Sequence, residues 1–219
     1  LLKMGSTMEL RYGTPEQIFP QLLKEYKVNR VFTNHDYEPY AKNRDQQVAL
    51  LLQKQGVGFQ TFKDQVILEK DEVLKDDGKP YTVFTPYSRK WKAVLTDFHL
   101  KPYPCRKYDR HFLKQDPKPL ISLEAMGFRA SGQPFPGKEW KGQTIRNYKE
   151  QRDLPAVAGT TRLSVHLRCG TISIRQLAAE AGALNETFLN ELIWRDFYQM
   201  ILWHFPHVVG HAFKPEYDR

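Results

Sequence analysis

The order of helix and strand patterns along the chain is the feature that most limits its fold. Helical and strand-like segments alternate through residues 1–100, whereas residues 142–219 have helical patterns only. Strands separated by helices in this way predict a parallel sheet with helices on its faces. The sequence therefore predicts an α/β domain followed by an all-α domain.

A proline-rich connector separates these two parts. Six of the fourteen prolines lie within residues 101–140, where apolar periodicity is weak. Such a segment is typical of a long surface connection rather than a packed element. We therefore predict an α/β domain at 1–100, a linker at 101–141 and a helical domain at 142–219.

Local end signals place the individual elements. Thr14 precedes Pro15 and is followed three residues later by Gln17, which is the pattern of a helix start. Asn185 is expected to begin the longest helix, and Gly182 to end the helix before it. Strands are predicted at 28–34 and 58–62, and helices at 40–55, 85–95, 144–152, 173–181 and 185–204. A short turn or helix is predicted at 160–167.

Charge and cysteine content narrow the functional classes. The chain carries 33 Lys and Arg against 25 Asp and Glu, a net charge of +8, and residues 101–147 alone contribute +6. A local basic stripe indicates a phosphate-bearing partner, although a solvated linker explains it equally well.

The chain has only two cysteines, Cys105 and Cys169, which excludes a disulfide scaffold and predicts a cytoplasmic protein. No apolar run approaches the roughly 20 residues of a membrane span.

Two familiar patterns carry little weight. Residues 132–138 read G-x-x-x-x-G-K, but Glu139 replaces the Ser or Thr of a phosphate-binding loop and no strand precedes it. His204, His207 and His211 have metal-like spacing, but Pro206 interrupts their helix. Ordinary surface histidines are the favoured interpretation, and no metal site is predicted.

One face of the last long helix mixes chemistries that rarely occur together. Glu191, Trp194, Arg195 and Tyr198 are spaced to share that face. An indole, a phenol, a carboxylate and a guanidinium suit a flat polar ligand such as a nucleobase. An interior helix with an ion pair between Glu191 and Arg195 is an equal alternative.

The segment from Gly159 to Ser164 offers three hydroxyls, a turn and a cation within six residues. Backbone N–H groups and hydroxyls in such a turn can surround a phosphate. Taken alone, an ordinary helix start capped by threonine is favoured.

Several of these segments together resemble the DNA photolyase/cryptochrome family. Residues 148–164, Y-K-E-Q-R-D-L-P-A-V-A-G-T-T-R-L-S, are similar to the start of its FAD-binding domain. Residues 190–198, N-E-L-I-W-R-D-F-Y, resemble its N-E-L-x-W-R-[DE]-F-Y helix. Residues 83–91, V-F-T-P-Y-S-R-K-W, and residues 34–45 with their Arg44-Asp45 pair are also similar. The matches occur in the order and spacing of the family and span most of the chain.

The resemblance implies a Rossmann-like α/β antenna domain, a linker and an all-α FAD-binding domain. The first strands of the former and the C-terminal part of the latter are expected to lie outside this sequence. The implied activity is light-driven repair of cyclobutane pyrimidine dimers by electron transfer from reduced FAD to the flipped dimer, a carbon–carbon lyase reaction. The alternative is a blue-light photoreceptor of the cryptochrome type without repair activity. The 219 residues alone are expected to be inactive.

The same resemblance implies roles for individual residues. FAD is expected to contact Tyr148, Thr160, Thr161, Arg162, Leu163 and Ser164. Arg152 is expected to contact a DNA phosphate, while Glu191 and Trp194 act on the damaged bases. Arg195 and Tyr198 complete the DNA pocket. The expected partner is UV-damaged DNA, bound by a monomer.

A second, light-harvesting pigment is also implied by the family. Members that use folate carry an Asn-Glu pair shortly before the Arg-Asp pair, and here Tyr40 and Ala41 occupy those positions. The antenna is therefore expected to be a deazaflavin or a flavin rather than folate.

Overall fold

The computed structural model describes residues 1–218. Its α-helices range from 4 to 19 residues, and only two strands are present among these residues. The helices are α1 (Pro15–Glu25), α2 (Pro39–Lys54), α3 (Phe84–Val94), α4 (Asp97–Leu100), α5 (Gly142–Arg146), α6 (Tyr148–Gln151), α7 (Ser164–Cys169), α8 (Ile174–Leu184) and α9 (Glu186–His204). The strands are β1 (Arg30–Asn34) and β2 (Gly58–Phe62), and a 3₁₀-helix spans Cys105–His111.

The chain divides into two compact units. The first comprises Leu1–Val31, Gln46–Phe59 and Tyr103–Phe135, and the second comprises Phe32–Asp45, Gln60–Pro102 and Pro136–Arg219. Both units are therefore assembled from separate stretches of sequence. The predicted domain boundaries near residues 100 and 141 stay a prediction.

Strands β1 and β2 are neighbours in a parallel sheet. The carbonyl of Asn29 accepts a hydrogen bond from the N–H of Gly58 at 3.0 Å, and that of Phe62 accepts one from His35 at 2.8 Å. The partners advance in the same direction along both strands, which defines a parallel pair. The predicted α/β character of this region is confirmed.

The first unit has a small core of its own. Val48, Leu52 and Val57 are buried there. Around them pack the partly buried side chains of Phe19, Leu23, Val28, Val31, Leu51 and Phe59. Helix α1 begins as predicted, because Thr14 and Gln17 form a capping box in which the Gln17 side chain accepts from the Thr14 N–H at 3.3 Å.

The second unit contains the larger core, to which α3, α8 and α9 contribute. Trp91, Leu177 and Ile193 are all completely buried in it. Helix α9 begins where the sequence predicts, with the Asn185 side chain accepting a hydrogen bond from the Phe188 N–H at 3.2 Å. The core fixes α9, and α9 in turn carries the residues predicted to face DNA.

The predicted end of α8 at Gly182 is wrong. The helix continues to Leu184, with Gly182 inside it. A glycine within a helix costs only about 1 kcal/mol, and the burial of Leu177, Ala178 and Ala181 on this helix outweighs that cost.

Candidate functional site

Helices α6 and α9 bring three of the predicted site residues together. The ring of Tyr148 meets Phe188 edge to face, with centroids 5.0 Å apart. A guanidinium N–H of Arg152 donates to the Glu191 carboxylate at 2.5 Å, and the same guanidinium lies 5.8 Å from the Tyr148 ring centre. Burial, followed by the nearby Glu191 charge, raises the pKa of Tyr148. The cluster therefore joins an uncharged phenol to a partly exposed ion pair.

A second group of aromatic rings is built around Trp194. The Phe84 ring stacks on the indole at 3.7 Å with an interplanar angle of 5°. Tyr198, one helical turn further along α9, lies 5.4 Å from the indole at 25° and is 58% exposed. The result is an aromatic platform, here defined as Phe84, Trp194 and Tyr198, that is held in place from one side and open to solvent at Tyr198.

Arg195 does not pair with Glu191. Its guanidinium donates to the backbone carbonyls of Gln65 and Leu167, the latter at 3.3 Å. The ion pair considered as the alternative from sequence is therefore wrong, since Glu191 pairs with Arg152. Burial lowers the pKa of Arg195. Arg195 ties α9 to the end of α7 and to the segment after β2.

The predicted phosphate-binding turn precedes α7. Leu163 is buried in the large core, whereas Thr160, Arg162 and Ser164 are exposed. Arg162 adopts a left-handed backbone conformation with φ of 54°, which few residues other than glycine accept. Leu163 thus anchors the turn, while its hydroxyl and guanidinium groups face solvent.

Gly159 permits the close approach of this turn to α6. A Cβ at this position would lie 2.5 Å from the Gln151 Cβ and 2.7 Å from the Gln151 carbonyl oxygen. The carbonyl belongs to the backbone, so rotation of a side chain cannot relieve the overlap. A larger residue must move the turn.

We therefore expect Gly159→Ala to destabilise the protein by about 1 kcal/mol or more, the usual range for overpacking a tight contact. Denaturant unfolding would measure this effect. The control is Gly137→Ala, because an added Cβ there has no neighbour within 4 Å. Equal stability of the two variants would contradict this role for Gly159.

Sequence reasoning missed the part played by Asp196. This carboxylate is 1% exposed, and one of its oxygens accepts hydrogen bonds from the N–H groups of Ile67 and Leu68, each at 3.1 Å. The same oxygen accepts from the Trp91 indole N–H at 3.0 Å. Asp196 therefore fixes the register of α9 against α3 and the segment after β2.

The electrostatics of Asp196 are unusual. Burial raises its pKa from 3.8 to about 6, because its hydrogen bonds and the nearby Arg195 only partly compensate for lost hydration. Its second oxygen is buried without a hydrogen-bond partner. The W-R-D-F-Y pattern contained this residue, but nothing local in the sequence indicates its distant donors.

A separate cavity of about 340 Å³ lies near the carboxyl ends of the strands in the second unit. Asn34, Asp64 and Gln65 line one side, and residues 167–174 line the other. Arg168 is one of these lining residues and pairs with Glu38 at 3.5 Å. The carboxyl ends of parallel strands are a common position for ligand sites.

The histidines with metal-like spacing have separate surroundings. His204 lies 3.3 Å from Asp71, and His211 lies 3.2 Å from Asp218. Within residues 1–218, no three metal-ligating side chains come close enough to hold an ion. Along the same residues, no helix is both long and apolar enough to cross a bilayer.

Comparison with known proteins supports the resemblance seen in the sequence motifs. A family model described as DNA photolyase matches residues 1–107. The chain is 31% identical to a deoxyribodipyrimidine photo-lyase of a Synechococcus species over 96% of its own length. The chain thus carries the expected resemblance to the DNA photolyase family. It covers 49% of that relative, so it spans about half the length of a curated photo-lyase.

Solved structures of the photolyase family share the fold. A class III photolyase from Agrobacterium tumefaciens superposes with a TM-score of 0.72, covering 94% of this chain and 47% of the other at 22% identity. An archaeal photolyase from Sulfolobus tokodaii, solved with two FAD molecules, gives 0.68 at 25% identity, covering 100% and 48%. The fold expected from the sequence resemblance is thereby confirmed.

The residues of the turn fit a flavin dinucleotide. Thr160, Thr161 and Ser164 supply hydroxyls, and Arg162 supplies a cation, which is the donor set that a diphosphate requires. The absence of a side chain at Gly159 lets the turn lie against α6, because a Cβ there would overlap Gln151.

Proposed function

We propose that the complete protein repairs cyclobutane pyrimidine dimers in DNA, using light and reduced FAD. The observation that carries this proposal is the aromatic platform of Phe84, Trp194 and Tyr198, together with the ion pair that Glu191 of α9 forms with Arg152. A stacking surface next to a carboxylate and a cation suits flipped, damaged bases in DNA.

FAD would be held by the turn before α7 and by α6. The hydroxyls of Thr160, Thr161 and Ser164 and the guanidinium of Arg162 would bind its diphosphate. Leu163 would contribute through its backbone N–H, since its side chain is in the core, and Tyr148 would contact the cofactor from α6. When bound, reduced FAD supplies the light-dependent electron that splits the cyclobutane bonds.

The platform and the ion pair would position the dimer. Trp194 would stack on the dimer, and Tyr198 would extend that surface. The Glu191 carboxylate would accept hydrogen bonds from the bases and stabilise the charge that develops on them. We assign Arg195 a positioning role in this pocket, because two backbone carbonyls occupy its guanidinium.

Arg152 would bind a DNA phosphate next to the platform. Arg152→Ala should weaken binding to damaged and undamaged duplexes by similar factors, and the slope of log K against log salt should become shallower by about one. Fluorescence anisotropy at several salt concentrations would measure both quantities. Arg152→Lys keeps the charge and serves as the control. A loss confined to damaged DNA would contradict a phosphate contact.

We further propose a flavin or deazaflavin antenna, with the 340 Å³ cavity beside Asn34 and Arg168 as its site. Two observations support this assignment over folate. Tyr40 and Ala41 stand at the positions of the folate-binding pair, and neither side chain offers its amide or its carboxylate. The two FAD molecules of the Sulfolobus tokodaii relative show that a second flavin occurs in this family.

The test of this function is light-dependent repair by the complete gene product. Glu191→Gln removes the negative charge while retaining the size of the side chain, and it should slow repair more than it weakens DNA binding. The competing function is a cryptochrome-type photoreceptor. A flavin-bound protein that repairs no dimers would favour that alternative.

A further inference from the structure

The connector carries a second basic feature, far from α9 in sequence. The 3₁₀-helix at Cys105–His111 has the sequence C-R-K-Y-D-R-H and lies within the first unit. Arg106, Lys107 and Arg110 are all exposed on it, and Asp109 is the single acidic residue of the helix. We refer to these three basic residues as the connector cations.

No acidic side chain among residues 1–218 neutralises the connector cations through an ion pair. Lys107 instead lies over the Tyr108 ring at 4.8 Å, and the Arg110 Nε–H donates to His111 at 3.3 Å. Elsewhere in the same unit, Arg11 pairs with Glu9 and Glu25, and Lys118 pairs with Glu9. The connector thus presents three positive charges within residues 106–110, none of which takes part in an ion pair with the described residues.

The 3₁₀ geometry arranges these groups in rows. With three residues per turn and a rise of about 2 Å per residue, Lys107 and Arg110 share one side of the helix, about 6 Å apart along its axis. Tyr108 and His111 share the adjacent side, with ring centroids 6.3 Å apart. A row of cations beside exposed aromatic rings matches the repeating phosphates and sugars of a nucleic-acid strand.

We propose that the connector cations bind the sugar–phosphate backbone of duplex DNA, irrespective of sequence or damage. This proposal rests on the proposed DNA-directed function and extends it to a surface outside the damage-reading helix. The contact would contribute affinity for intact DNA that declines as the salt concentration rises. Selectivity for damage would remain with the aromatic platform.

The test uses the complete gene product, undamaged duplex DNA and darkness. The triple variant Arg106→Gln, Lys107→Gln, Arg110→Gln is compared with Lys24→Gln, Lys27→Gln, Lys54→Gln. The control removes the same charge from three exposed lysines of the same unit. We expect the connector variant to bind about tenfold or more weakly near 100 mM salt, with a log–log salt slope shallower by about two to three. The control should retain wild-type binding.

Equal losses in the two triple variants would overturn the proposal, because net charge alone would then explain them. An unchanged affinity in the connector variant would also overturn it. So would weakened binding to phosphatidylserine vesicles with DNA binding intact, which would indicate a membrane surface instead. Repair of thymine dimers under light is measured separately, so failure of the repair function can be distinguished from failure of this contact.

Discussion

Asp196→Ala should destabilise the complete gene product by roughly 3–5 kcal/mol. The substitution leaves three buried donors, the N–H groups of Ile67, Leu68 and the Trp91 indole, without their acceptor. Each unsatisfied buried donor costs about 1–3 kcal/mol. Denaturant unfolding at pH 7 would measure the loss. Asp196→Asn keeps an acceptor oxygen and should be much less damaging, so equal losses in the two variants would contradict this account.

A comparison of wild-type protein with Asp196→Asn also gives a pH test. Burial raises the pKa of Asp196 from 3.8 to about 6 in the folded state. The folded state therefore binds the Asp196 proton more tightly than the unfolded state does. Protonation of Asp196 stabilises the fold fully below about pH 4, and this stabilisation is lost as the pH rises through 6.

We therefore expect wild-type protein to gain about 1 kcal/mol relative to Asp196→Asn when the pH falls from 7 to 5. Taking the difference between the two proteins cancels the titration of all other groups. Unfolding free energies at the two pH values would measure it. A constant difference would show that Asp196 titrates at its ordinary pKa.

Trp194→Ala should weaken binding to DNA carrying a thymine dimer by up to about 3 kcal/mol, which is roughly a hundredfold. Stacking of a base on an aromatic side chain contributes about 1–3 kcal/mol. Phe84 holds the indole parallel at 3.7 Å, so the platform is organised before DNA arrives. Binding to undamaged duplex should change little, because that binding depends on phosphates. Anisotropy titrations in the dark would measure both affinities.

Trp203→Ala is the matched control for that experiment. Trp203 lies on the same helix, but its ring is covered by the ammonium groups of Lys42 and Lys70 at 4.3 and 4.9 Å. Its removal takes away an indole of equal size without touching the platform. Loss of dimer preference in Trp203→Ala, or its retention in Trp194→Ala, would contradict the proposed role of the platform.

Features determined by neighbouring residues could be predicted from the sequence. Thr14 and Asn185 begin helices where their capping patterns indicate, because a cap depends on hydrogen bonds within one turn. Strand β2 has the predicted bounds, residues 58–62. Gly182 fails as a helix end because packing around Ala181 depends on residues that no local pattern identifies.

The contacts between the site residues could not be predicted from the sequence in the same way. The spacing of Glu191 and Arg195 favours a pair along one helix, yet Glu191 pairs with Arg152, 39 residues away. Asp196 likewise binds donors at residues 67, 68 and 91. Such contacts follow from the tertiary fold. The family resemblance predicts which residues belong to the site, but it does not indicate which of them pair.

The central claim is tested most directly by repair itself. The reduced, anaerobic complete gene product would be mixed with DNA carrying one thymine dimer, and the return of base absorbance would be followed under blue light and in darkness. We predict recovery that requires light and is slowed in Glu191→Gln and Trp194→Ala. A flavin-bound protein that binds the dimer but restores no absorbance under light would contradict the account.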